Sequence, residues 1–280
     1  MAEWWDLLVQ PLQYPFMVRA LLAAILVGMV CGIVGCFVVL RGMAFFGDAL
    51  SHSILPGIAI GYLLGNGGRG PLFLWAMGTA VLVALFIGAI AQSGRLKEDT
   101  SIGIIFAGMF ALGVALISTS RSYSVDLIHF LFGDVLGVAW SDLIWSSILG
   151  GGVLLVLLAF YKEFVIIAFD ETLARTLRLP TRRLYYGLLI LIAVTIVSAL
   201  QTVGVALMLA MLVTPPATAF LLTRRLPVMM AVSAGIGALG GVVGLYLSYY
   251  IGVASGAAMV LVCTAAFIVV LLFSKRRGHT

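Results

Sequence analysis

The chain has 280 residues, of which 63% are hydrophobic and only 10% charged, with a formal net charge of +5. Its mean hydropathy of +1.20 and sparse charge are far from those of a soluble domain, which carries about 25% charged residues, so a water-soluble enzyme is excluded. The basic residues are scattered between apolar segments, the pattern of topology determinants rather than of nucleic-acid binding.

The chain opens Met1-Ala-Glu-Trp-Trp-Asp6, acidic and aromatic where a cleavable signal would be basic. Trp4, Trp5, Tyr14 and Phe16 read as an interfacial belt ahead of the first span. A span needs about 20 apolar residues. Hydropathy predicts spans over 18–40, 44–65, 71–93, 101–119, 141–161, 184–201, 203–223, 228–250 and 255–274. The 120–140 stretch holds Asp126, His129 and Asp134 around Leu131-Phe-Gly133, too polar and short to cross, and reads as a re-entrant or interfacial piece. The expected fold is all-α: a polytopic membrane helical bundle of eight to nine transmembrane helices, one transmembrane domain over 1–280.

Sidedness follows from lysine and arginine. With the 162–183 loop inside, the inner loops collect Arg41, Arg95, Lys97, Lys162, Arg175, Arg178, Arg182, Arg183, Arg224, Arg225 and Lys275 to Arg277, leaving Arg19, Arg69 and Arg121 outside. That places the C-terminus in the cytoplasm, and the N-terminus outside if all nine segments cross. Cys31, Cys36 and Cys263 fall within apolar runs at spacings that suit neither disulfides nor a zinc knuckle, and read as small packing residues.

Gly28, Gly32 and Gly35, and Gly237, Gly240, Gly241 and Gly244, are spaced for close helix approach. Pro56, and Pro215 with Pro216, mark predicted helix breaks of the kind that line substrate paths or form plain structural kinks.

The most informative pair is Asp48 and His52, the only acid and the only histidine placed well inside a predicted span. Four residues advance a helix by about 6 Å and turn it by about 400°, so carboxylate and imidazole share a face. An ionisable residue at bilayer depth costs roughly 3 kcal/mol; two on one face point to a route for a polar solute. As ligands they suit Mn²⁺, Fe²⁺ or Zn²⁺, and two ligands make an incomplete site from which an ion can be released. Water, a carbonyl, or the same pair from a second copy would complete it. The alternatives are a mutual bond, a bond to Ser51 or Ser53, or a proton relay. Ser51 and His52 point about 100° apart, which excludes a serine–histidine dyad. The chain has no His-Glu-x-x-His motif and no Gly-x-x-x-x-Gly-Lys-Ser/Thr phosphate loop, so an ATP motor would be another polypeptide.

In the cytoplasmic loop, Phe169-Asp-Glu-Thr-Leu-Ala-Arg-Thr-Leu-Arg-Leu-Pro180 begins with acids and ends with bases. Asp170 and Glu171 can cap a short helix whose end Arg175 and Arg178 favour. Leu173, Ala174 and Leu177 give it a small apolar face, for a partner subunit or for the membrane surface.

Together these segments resemble the permeases of the manganese/zinc/iron (ABC-3) family of ABC importers. The resemblance is carried in order by Arg41-Gly42 with Gly47-Asp-Ala-Leu-Ser-His52 and Leu55-Pro-Gly57; Glu98-Asp-Thr-Ser-Ile-Gly103 leading to Phe106-Ala-Gly-Met-Phe-Ala-Leu-Gly113; Leu131-Phe-Gly133; Phe169-Asp-Glu171 with Leu179-Pro180; and Val203-Gly-Val-Ala-Leu207 with Ala210-Met-Leu-Val-Thr-Pro215. It implies a non-enzymatic, homodimeric, multi-pass permease in a bacterial plasma membrane, in contact with lipid. It also implies a dimer of a cytosolic ATPase and an extracytoplasmic metal-binding protein as partners. Asp48 and His52 map onto the family's intramembrane metal-contacting pair. Residues 170–178 map onto the coupling helix, with Asp170, Glu171, Leu173, Arg175, Leu177 and Arg178 meeting the ATPase. No cofactor is held permanently; the divalent metal is cargo. Carboxylate plus imidazole without a thiolate in the path favours Mn²⁺, with Zn²⁺ and Fe²⁺ still open. His129 departs from the family pattern, as an outer-mouth ligand or a solvated interfacial residue. A proton-coupled secondary transporter and a membrane scaffold or enzyme are the competing readings.

Overall fold

A computed structural model describes residues 9–65, 69–94, 96–118 and 135–277. Among them the chain is helical, with no strand: α1 Pro15–Leu40, α2 Ala44–Ser53, α3 Leu55–Gly65, α4 Arg69–Gln92, α5 Glu98–Ser118, α6 Trp140–Ala159, α7 Tyr161–Phe169, α8 Glu171–Thr176, α9 Thr181–Val203, α10 Val205–Leu222, α11 Leu226–Ile251 and α12 Ser255–Arg277. Eight of the described helices are long and apolar enough to cross a membrane: α1, α4, α5, α6 and α9 to α12. The all-α multi-pass expectation therefore stands. The polar stretch with Asp126, His129 and Asp134, and the belt residues Trp4 and Trp5, lie outside the described residues.

The predicted span 44–65 is two helices, α2 and α3, parted at Ile54. Pro56 has no N–H to give the carbonyl four residues back; the N–H of Ile54 bonds to that His52 carbonyl instead. The break expected at Pro215 and Pro216 does not occur: α10 runs through both. Pro216 frees the Leu212 carbonyl, and that oxygen lies so close to Gly35 of α1 that a Cβ there would overlap it. The region between 162 and 183 is no open loop either, since α7 follows α6 after Phe160 and α8 follows Asp170.

The residues fall into two compact units, with α1, α6 and α9 contributing to both. One comprises Met1–Cys36, His129–Gly150 and Ser198–Thr280. Here α1 and α11 cross backbone to backbone: a Cβ at Gly28 would stand 2.6 Å from the carbonyl carbon and oxygen of Gly237. One turn on, Ser233 Oγ donates to the Gly32 carbonyl at 2.7 Å. Gly240 and Gly244 lie on Cys263 and Met259 of α12. The two predicted glycine sets thus join α11 to α1 on one face and to α12 on another, the close approach that small residues permit in lipid. All three cysteines are buried and free.

The other unit comprises Phe37–Ile128 and Gly151–Val197. Its α3 packs on α4 through Gly57, beside Thr79 and Trp75, and Gly61, beside Leu72. Gly113 of α5 sits against Leu55 and Pro56, directly at the α2–α3 break.

Candidate functional site

Helix α2 belongs to the second unit and carries Asp48 and His52 on one face, as the spacing requires. His52 Nε2 stands 3.6 Å from Asp48 Oδ1. That is an ion-pair separation, too long for a hydrogen bond. Two donors about 2.1 Å from one cation in tetrahedral array lie about 3.4 Å apart, so the gap suits a shared cation with little movement. The buried Ser51 and Ser53 hydroxyls donate to the carbonyls of Asp48 at 2.8 Å and Ala49 at 2.6 Å. Their protons are committed to the helix backbone and are not donated to the carboxylate.

The His52 and Asp48 side chains remain 33% and 40% exposed within the chain. On the exposed side α5 supplies an aromatic wall. The His52 ring lies 6.1 Å from Phe110, edge to face, and 6.2 Å from Phe106. Phe45 meets Phe106 edge to face at 6.0 Å. Such packing restrains the imidazole plane, with Nε2 turned toward Asp48. Among the described residues no group of three or more His, Cys, Asp and Glu comes together, so those residues offer a cation two side-chain donors here.

The predicted coupling segment folds as α8, six residues long. Asp170 caps it, accepting from the N–H groups of Thr172 at 2.9 Å and Leu173 at 3.0 Å. Ala174 is buried, while Leu173 and Leu177 are 48% and 54% exposed and Phe169 is 64% exposed. The expected apolar face is therefore divided: Ala174 anchors the helix and the leucines point away. Arg175 is exposed, and Glu171 is the first helical residue. Arg178 adopts a left-handed φ of 56°. Its N–H bonds to the Arg175 carbonyl at 3.0 Å and that of Leu179 to the Ala174 carbonyl at 3.1 Å, a Schellman closure with arginine where glycine is usual. The sequence reading gave Arg178 only its charge.

Of the predicted breaks, Pro56 sits at the start of α3, four residues beyond His52, whereas Pro215 and Pro216 lie in the other unit. Phe45, Phe106 and Phe110 were not singled out as site residues, because phenylalanine in an apolar helix reads the same whether it meets lipid or a ligand. The one available signal was the four-residue spacing of Phe106 and Phe110, matching that of Asp48 and His52.

The sequence profile of the ABC 3 transport family matches residues 13–274. The manganese transport system membrane protein MntC of Halalkalibacterium halodurans is 46% identical over 270 residues, 96% of this chain and 91% of its own length. A probable iron transport system membrane protein of Haemophilus influenzae is 39% identical over 272 residues, 97% of this chain and 98% of its own. Among solved structures, PsaBC from Streptococcus pneumoniae in complex with Fab contains a chain with a TM-score of 0.81 and 38% identity, covering 95% of this chain and 94% of that one.

Proposed function

The chain belongs to the ABC 3 transport family, and from that footing we propose that it is the membrane permease of an ATP-driven importer that moves a divalent transition metal into the cytoplasm by alternating access. It is a multi-pass membrane protein, and 1–280 acts as one permease domain. The observation that carries the reading is the Asp48–His52 pair, half-exposed and 3.6 Å apart on one face of α2. Groups of this kind do not face lipid without a penalty of roughly 3 kcal/mol each. A second copy of the chain covers that face and brings its own pair, making four donors around one path. The metal is cargo and no cofactor stays bound. Relatives named for manganese and for iron fit a hard-to-borderline oxygen and nitrogen site, and Mn²⁺ is favoured over Fe²⁺ and Zn²⁺.

ATP hydrolysis belongs to a separate cytosolic ATPase dimer, on which α8 docks through Leu173 and Leu177, flanked by Asp170, Glu171, Arg175 and Arg178. A metal-binding protein delivers the ion from outside. Proton-coupled secondary transport draws no support from the family. The test is uptake of Mn²⁺, Fe²⁺ and Zn²⁺ in competition by proteoliposomes holding the permease with and without its ATPase. Uptake requires ATPase and ATP, and Mn²⁺ competes best. Uptake driven by a proton gradient without ATPase would sink the reading.

A further inference from the structure

On the side that the basic loops mark as cytoplasmic, Tyr185 ties together three elements of the site-bearing unit. It lies in the first turns of α9, five residues after Pro180, and is 4% exposed. Its hydroxyl donates to Glu98 Oε1 at 2.5 Å, and Glu98 is the first residue of α5. On its ring lies Arg41, with the guanidinium carbon 4.6 Å from the centroid. Arg41 follows α1 and precedes α2, and its buried Nη1 has no hydrogen-bond partner.

These contacts make a continuous path. From α8 the chain runs through Pro180 into α9 and Tyr185. From Tyr185 it passes to Glu98, and α5 then carries Phe106 and Phe110, about 12 and 18 Å further along the helix, onto His52. Gly113 of the same helix grips the break after α2. A second branch passes from the Tyr185 ring through Arg41 into α2 itself.

We propose that Tyr185 and Glu98, with Arg41 over the ring, form a latch that transmits the ATPase stroke from 170–180 to the His52 face; the proposal rests on the transport reading above. A phenol bonded to a carboxylate is a strong, directional tie. Arg41 Nη1 is buried and has no hydrogen-bond partner, so the guanidinium is held here by the Tyr185 ring and shifts with it. Tyr185 and Glu98 are positioning residues and touch no metal.

The experiment measures Mn²⁺ uptake and ATP hydrolysis together in proteoliposomes containing the permease and its ATPase, and Mn²⁺ binding by the permease alone. Tyr185→Phe keeps the ring under Arg41 and removes only the hydroxyl. It lowers Mn²⁺ moved per ATP by about tenfold, the worth of one charge-assisted hydrogen bond, and leaves Mn²⁺ binding within about twofold. Glu98→Gln, whose amide oxygen still accepts from the phenol, loses less, and the double variant is no worse than Tyr185→Phe alone. Unchanged transport per ATP in Tyr185→Phe overturns the latch. So does loss of Mn²⁺ binding in step with transport, which would make Tyr185 a structural residue. If the wild-type complex moves no Mn²⁺ at all, the transport reading falls, and the latch with it.

Discussion

In the unit built on α1, α10, α11 and α12, helices meet backbone to backbone and several polar side chains find partners within the chain, although Arg19 Nε is buried without one. Ser233 donates to a carbonyl of α1, and Ser146 and Ser198 bond each other at 3.2 Å. Both oxygens of Asp142 accept, one from the Ala139 N–H at 3.2 Å and one from Gln201 Nε2 at 3.3 Å. In the unit that carries α2, α3 and α5, a carboxylate and an imidazole meet at 3.6 Å and stay exposed by a third or more. An acid in a membrane helix is thus not by itself a site: each oxygen of Asp142 is engaged by a neighbour in its own chain, whereas Asp48 faces the His52 ring at ion-pair distance and keeps bonding capacity for something else.

The sharpest way to break that contrast is to remove the open groups. Asp48→Ala or His52→Ala should lower metal uptake by more than about 100-fold, since losing even an outer-shell partner costs about 10- to 100-fold. Thermal stability should stay within about 1 kcal/mol, because both side chains are half-exposed. Uptake rates at the wild-type level in both variants would make the pair no more functional than Asp142.

The opposite result is expected in the filled unit. Gly28→Ala places a methyl group 2.6 Å from the Gly237 backbone, where neither helix can give way as a flexible side chain would. Overpacking of this kind costs about 1–3 kcal/mol. The thermal midpoint and the yield of folded protein should drop, with uptake per folded molecule retained. A variant with an unchanged midpoint and reduced uptake would place function in the wrong unit.

The sequence showed this division unevenly. Asp48 and His52 were legible because four-residue spacing fixes a shared helix face whatever surrounds it. The glycine sets announced close approach, but not that Gly28 meets Gly237 or that Gly244 meets Met259, since spacing carries no address. Hydropathy placed the spans but clipped first turns, starting one at 184 where α9 begins at Thr181 and another at 101 where α5 begins at Glu98, because charged first turns lower the average while the helix continues. Pro56 was a true break and Pro215 was not. The surroundings differ: the His52 carbonyl takes the Ile54 N–H, whereas the Leu212 carbonyl freed by Pro216 lies close against Gly35 of α1, and no local pattern encodes that. The Tyr185–Glu98 bond spans 87 positions, beyond any periodicity.

The smallest expected effect tests the contrast at its weakest point, because Arg178 lies in the site-bearing unit and yet its place is set by backbone geometry. If the charge of Arg178 on the α8 terminus were what mattered, Arg178→Lys would be silent and Arg178→Gly would loosen the helix end by about 0.3–1 kcal/mol. A left-handed φ of 56° costs a residue with a Cβ about 1–2 kcal/mol and costs glycine nothing, so relief of that strain opposes the lost charge. Arg178 is exposed, so salt and water weaken the charge contribution further, and the strain is unaffected by screening. Arg178→Gly should therefore protect the Leu179 N–H, the bond that closes α8, at least as well as the wild type in hydrogen exchange on the permease without its ATPase. Arg178→Val, β-branched and as uncharged as glycine, should lose that protection. Weaker protection in Arg178→Gly with full protection in Arg178→Lys would return Arg178 to an electrostatic role, and α8 would then be held by its charges at both ends.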